Sequence, residues 1–211
     1  EALGVAGRDA AVAAPILVRI IRNPRESDEL RRQSVIALGR FADQAAVAVP
    51  PLVETLMIDE SEAVRAAAAL SLASQGPAGE RILISLLGEA EADIRWRSAV
   101  ALGETPAGNS NVVAALRDAL EDENEHVQLK ACQSLINVKG EPQHVIPTML
   151  RLMQSEDRMT RVDAVELLVS LGDDAKAALP VLAEFARSQR DDVQRAAKLA
   201  IKRLTATPVR E

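Results

Sequence analysis

His126 and His144 are the two histidines of the chain, and they stand eighteen positions apart. Neither belongs to a His-Glu pair or a His-x-x-x-His motif, and a zinc or di-iron centre needs several such ligands converging. No metal and no cofactor is therefore expected. Cys132 is the sole cysteine, so no internal disulfide can form, and among small residues it reads as an alanine-like filler. There is no Gly-x-Ser-x-Gly, no phosphate-cradling glycine loop and no histidine placed to activate the thiol. The acidic runs Glu121, Asp122, Glu123, Glu125 and Asp191, Asp192 read as solvated turns that favour the positive end of a following helix. With catalytic constellations excluded, no enzyme activity is expected. The chemistry left is recognition: Trp96 next to Arg97 is a pairing typical of interface hot spots.

Composition narrows the partners. Apolar residues make up 48% of the chain, yet it holds two Phe, one Trp and no Tyr. A core of Ala, Leu, Val and Ile suits close helix–helix packing. The net charge of −6 argues against a general nucleic-acid role. No apolar run approaches the roughly 20 residues needed to span a membrane. No signal peptide is visible, and Glu1 is not a natural start; the expected compartment is the cytosol, with periplasm or secretion as the alternatives.

Those residues sit in a repeat. An apolar anchor, usually followed by a basic or amide residue and then small residues, recurs at Leu30, Val64, Ile94, Val127, Thr160 and Val193, with spacings of 34, 30, 33, 33 and 33. A fixed period of this size predicts a stacked array in which each repeat contacts its neighbours. Positions 0, +4, +7, +8 and +11 from each anchor share one helical face, which defines a second helix (B) per repeat. Ser27, Ser61, Asn124 and Asp157 lie three before their anchors and are N-cap candidates. Upstream lies a first helix (A), with Pro15, Pro51, Pro147 and Pro180 expected in its first turn. Gly76, Gly103, Gly140 and Gly172 are expected to end B helices. The predicted organisation is the end of a truncated preceding repeat at 1–8, because Ala2-Leu3-Gly4 matches Ala37-Leu38-Gly39. Six repeats follow over 9–204, at about 9–42, 43–76, 77–105, 106–139, 140–172 and 173–204, with a tail at 205–211.

The pattern Pro-x-x-x-x-Leu, an acidic turn, then Val-Arg-x-x-Ala-Ala-x-Ala-Leu-Gly resembles HEAT repeats, in particular the short bacterial type grouped with phycobilisome lyases. Tetratricopeptide and ankyrin signatures are absent from the repeats. The resemblance covers residues 1–204 and implies an all-α fold, a right-handed α-solenoid (superhelix) of six antiparallel helix pairs plus a partial N-terminal repeat. It also implies a structural ladder between an acidic residue and the arginine six positions later. Asp59 with Arg65 and Glu89 with Arg95 fit that ladder, Asp122 with Gln128 fits in part, and Ser155 and Ser188 depart from it.

In such solenoids the face of helix B opposite its core lines the concave side. Geometry assigns positions +2, +6 and +9 to it, flanked by −1 and +3. The protein-binding candidates are Trp96, Arg97 and Val100, then His126, Leu129, Lys130 and Gln133, then Met159 and Val162. The competing reading is that these residues pack between neighbouring B helices. Arg31, Arg32 and Arg40, and Arg195, Lys198, Lys202 and Arg203, form short basic strips that read as solvated faces.

The function expected is a non-catalytic scaffold, a monomeric module of a larger protein that binds a protein or peptide on its concave B-helix face, without nucleic acid and without membrane insertion. Three alternatives stand beside it: an accessory subunit of a bilin lyase, a HEAT-like DNA-binding or repair module, and a purely structural spacer.

Overall fold

The computed structural model describes residues 2–41, 44–139 and 142–206, with side chains from Val12 onward. Among these residues the regular structure is entirely helical, and the chain divides into two compact units, Glu1–Pro106 and Ala107–Glu211. The first holds α1 (Ala2–Ile21), α2 (Asp28–Gly39), α3 (Ala45–Ile58), α4 (Glu62–Ala73), α5 (Pro77–Leu86) and α6 (Ala92–Leu102). The second holds α7 (Ser110–Asp118, extended by a 3₁₀ turn to Glu121), α8 (Glu125–Asn137), α9 (Pro142–Leu152), α10 (Arg158–Ser170), α11 (Leu179–Phe185, preceded by a 3₁₀ stretch from Gly172) and α12 (Asp191–Thr205). Short turns fold each A helix back on its B helix. Successive B helices pack side by side, α2 on α4 on α6 in the first unit and α8 on α10 on α12 in the second.

The core follows the predicted period. Leu38, Leu52, Leu56, Leu72, Leu83 and Leu102 are fully buried in the first unit, and Leu116, Leu135, Met149, Leu152 and Leu168 in the second. Val64, Ile94, Val127, Thr160 and Val193 are each at most 9% exposed. Leu30 is the exception, at 42%. The anchor edge of a B helix is the one that meets the preceding B helix: in α4, Ser71 on that edge donates to the carbonyl of Val35 in α2 at 3.3 Å. Leu30 and Gln33 occupy the same edge of α2, and both are exposed.

Close approach explains the small residues. A Cβ on Gly39 would lie 2.6 Å from Ser71 Cβ, and one on Gly79 would lie 1.7 Å from the backbone oxygen of Leu72. Both glycines are therefore required by contact between helices.

The turn from A to B is held by one repeated contact. The side chain just after each anchor donates back to a turn carbonyl: Arg31 Nη1 to Glu26 at 2.9 Å, Arg65 Nη1 to Asp59 at 2.7 Å, Arg95 Nη1 to Glu89 at 3.0 Å, Gln128 Nε2 to Asp122, Arg161 Nη1 to Ser155 at 2.6 Å, and Gln194 Nε2 to Ser188 at 3.4 Å. The acid–arginine ladder therefore takes a different form from the one the resemblance implied. Arg65 and Arg95 reach the backbone of Asp59 and Glu89, and the Asp59 carboxylate instead receives Arg31 of the preceding repeat, bidentately at 3.0 Å with both side chains 8% exposed. Because the accepting group is a carbonyl, the turn residue's side chain can make a second contact. Asp59, Asp122, Ser155 and Ser188 each accept the N–H two residues on, at 2.8, 2.8, 3.0 and 3.1 Å. Ser155 and Ser188 thus replace aspartate without loss of the turn, since hydroxyl and carboxylate serve equally as the short acceptor.

Two further arginines reach the acid just before the next anchor. Arg65 Nε donates to Asp93 at 3.0 Å, and Arg161 Nη2 pairs with Asp192 at 3.3 Å. Asp192 is held down to about 2 by its hydrogen bond from Arg190, with the Val193 N–H and Arg161 assisting.

Other expectations change. Ser27, Asn124 and Asp157 cap their helices through the side chain, whereas Ser61 occupies the cap without such a bond and gives its own N–H to Asp59. Pro180 sits in a first turn, but Pro15, Pro51 and Pro147 lie inside α1, α3 and α9. α1 and α3 begin earlier than the prolines suggested, because alanines ahead of them, such as Ala45, Ala46 and Ala48, support helix, whereas α9 starts on Pro142, a residue suited to a first turn. Gly76 and Gly172 take left-handed φ of +57°, while Gly103 stays right-handed at −66° and Lys139 adopts +59°. Gly140 and tail residues 207–211 lie outside the described residues. α1 runs unbroken through the boundary expected at residues 8 and 9, where Ala10, Ala11, Ala13 and Ala14 favour continuation.

Two measurements check this packing. Gly79→Ala should destabilise the protein by about 1–3 kcal/mol in urea unfolding, as overpacking does, while Gly88→Ala, whose Cβ meets ordinary contact at 3.5 Å, should stay near wild type. Because the Asp192 pKa is depressed when folded, its contribution is full above the unfolded value of about 4 and lost as pH falls toward 2. The stability gap between wild type and Asp192→Asn should therefore be open at pH 6 and narrow steadily as pH falls from 4 through 2. Carboxyl NMR should place the Asp192 midpoint below those of ordinary aspartates.

Candidate functional site

Positions +2 and +6 of successive B helices lie side by side and line grooves within each unit. In the first unit a groove of about 800 Å³ runs between α2 and α4. Ile36, Ala66 and Leu70 line it, with Arg32 and Arg40 on the α2 wall. Ala66 and Leu70 also line a smaller cavity of about 50 Å³ shared with Trp96 and Val100 of α6. The two together form a trough over three B helices. Alanine at Ala66 leaves room between the helices, and Leu70, 44% exposed, supplies accessible apolar surface.

In the second unit a groove of about 220 Å³ lies between α10 and α12. Val162, Val165, Ala196 and Leu199 line its apolar part, and Arg158, Arg161, Arg195, Glu166 and Asp192 its polar part. A further cavity of about 450 Å³ opens on the turn side of the first unit, beside Ile21, Pro24 and Ile58, where Arg31 meets Asp59 and Arg22 meets Glu54.

The sequence candidates divide. Trp96 and Val100 are half-buried at the trough, and Val162, 45% exposed, lines the second groove. Met159 is exposed at the −1 position of α10, one residue before the anchor Thr160. His126 and Gln133 are exposed, the latter donating to Asn137 at 3.2 Å, and Lys130 is half-buried. None of these four side chains lines the grooves just described.

Two candidates are corrected. Leu129 is 3% exposed and belongs to the core, as expected for an apolar side chain that can leave water. Arg97 is also 3% exposed, and its guanidinium is engaged by Asp93 and by Glu62 of the preceding repeat, all at 3.0 Å, while its Cζ lies 4.1 Å from the Trp96 ring centroid. It joins repeats and supports the indole. Burial raises the Asp93 carboxyl, but Arg97 and Arg65 outweigh it and hold the group below its usual value.

Ile36, Leu70 and Leu199 are groove residues that sequence reasoning passed over. All three occupy the +6 position already assigned to this face, so apolar residues at +6 were the available signal. The basic strips also divide: Arg31 is buried against Asp59, Arg32 pairs with Glu29 and Arg203 with Glu166, whereas Arg40 and Arg195 stand at grooves. Burial pushes the Cys132 thiol up to about 12, which keeps it protonated and unreactive. Among the described residues, no group of three His, Cys, Asp or Glu side chains is placed to hold a metal ion, and no helix is long and apolar enough to cross a membrane.

Comparison with known proteins places this geometry in a family. A model of HEAT repeats matches residues 14–81 and 80–143, more than half of the chain. A search of curated proteins found no match. Among solved structures, a chain from a complex of Kap95p with RanGDP aligns with a TM-score of 0.65 at 14% identity, over 95% of this chain and 32% of that one. YibA of Escherichia coli aligns at 0.53 and 24% identity, over 95% and 70%. A designed armadillo repeat protein in complex with the peptide (KR)4 aligns at 0.50 and 19% identity, over 90% and 98%. These likenesses concern the α-solenoid fold. With its repeated helix pairs and the matched span, this chain belongs to the HEAT-repeat family.

Proposed function

We propose that this chain is a non-catalytic scaffold that holds a segment of a protein partner in the trough over α2, α4 and α6. The observation that carries the reading is the accessible apolar surface of Ile36, Ala66, Leu70, Trp96 and Val100 between helices that are otherwise well packed. Apolar surface gathered in a groove, with an aromatic residue at one end and cations at the other, is the anatomy of a recognition site. Arg97 under Trp96 holds the indole in place before binding, which lowers the ordering cost of association. The designed armadillo protein, whose structure contains a peptide, is consistent with this use of a helical array.

Leu70 is the residue to test, because it lines both parts of the trough and its exposure leaves folding independent of it. Peptides selected from a random library on the wild-type chain should bind Leu70→Glu at least about tenfold more weakly, the scale of a modest hot spot, with thermal unfolding unchanged. Absence of any enriched peptide, or equal binding to the variant, would contradict the reading.

A further inference from the structure

We infer that the groove between α10 and α12 takes an acidic protein segment, a carboxylate beside an apolar side chain; this deepens the proposal that B-helix grooves are interaction sites. The apolar part is set by Val162 and Leu199, 45% and 42% exposed, with Ala196 also in the lining. Its charges are unevenly matched. Glu166 is engaged by Arg203, and Asp192 by Arg190 and Arg161. Arg158 and Arg195 are exposed and, among the described residues, have no acidic partner. Both acids of the groove are thus neutralised from within the fold, and two guanidiniums remain to receive an anion.

A guanidinium presents a planar fork of donors matched to a carboxylate. Here it stands beside aliphatic surface, so the fitting ligand carries both chemistries. Aliphatic Val162, Ala196 and Leu199 give nucleobases no ring to stack on, and the chain's charge of −6 opposes a polyanion at longer range. An acidic peptide meets the local cations at less cost from that background.

The test uses fluorescence anisotropy at low ionic strength with a labelled peptide alternating Leu and Glu, counterparts carrying Gln or Lys in place of Glu, and a labelled oligodeoxythymidine. The Glu peptide should bind at least about tenfold tighter than the Gln peptide, and Arg195→Glu or Arg158→Glu should remove most of that preference, since opposed charges become like charges. Added salt should weaken the Glu peptide alone. Arg195→Gln, a milder change at the same exposed site, should give an intermediate loss if a reversal perturbs folding. Equal binding of the Glu and Gln peptides, or indifference to both arginine reversals, would overturn the inference, as would tighter binding of the oligonucleotide. Loss of the Glu peptide in Leu70→Glu but not in Leu199→Asp would also overturn it, by moving the carboxylate site to the first unit, while the scaffold reading would stand. If library peptides still bind through Leu70 and the Glu peptide does not bind at all, only the inference about this groove fails.

Discussion

The contact on which the structure depends is the bond from the side chain after each anchor to a carbonyl in the turn before it. A chain reversal between two packed helices leaves carbonyl groups pointing inward, and a buried carbonyl without a donor costs about 1–3 kcal/mol. Arg31, Arg65, Arg95, Gln128, Arg161 and Gln194 answer that demand at equivalent places. Arginine does more than glutamine, because its remaining nitrogens reach the next repeat. Arg31 meets Asp59, Arg65 meets Asp93 and Arg161 meets Asp192, so one side chain closes its own turn and sets the position of its neighbour.

That constraint determines where recognition can be written. With the anchor face turned inward and small residues such as Gly39, Ser71, Ala68 and Ala69 allowing close approach, positions +2 and +6 of the B helices lie beside their counterparts in the grooves within each unit. Where they stay exposed, as at Leu70, Val162 and Leu199, they are not part of the core. Ala66 between Arg32 and Trp96 opens the first unit's trough, and Val162 beside Arg195 opens the second unit's groove.

Much of this was legible in the sequence because periodicity reports directly on burial. The anchor spacing located the B helices, and the 100° rule put Trp96, Val100 and Val162 on the face whose side chains line the grooves. Individual side-chain fates were less legible. Arg97 and Leu129 shared that face by angle, yet one reaches acids on two helices and the other is buried. Leu30 matched the anchor pattern, but its burial depends on a neighbour that no pattern within its own helix records. The prolines misled for a related reason: a proline suits a first turn but does not fix it, and α1 and α3 begin on alanines well before theirs, while α9 begins on an earlier proline, Pro142.

The central claim is that the grooves between B helices, and no other apolar surface, receive a partner. Methyl NMR of the chain with a bound peptide tests it most directly, since Ile36, Leu70, Val162 and Leu199 report on the grooves while Val47, Met57 and Ile58 report on exposed apolar positions of α3. The account predicts shift changes in at least one groove set, with the α3 methyls unmoved. Perturbation centred on Val47, Met57 and Ile58, with the groove methyls silent, would contradict it.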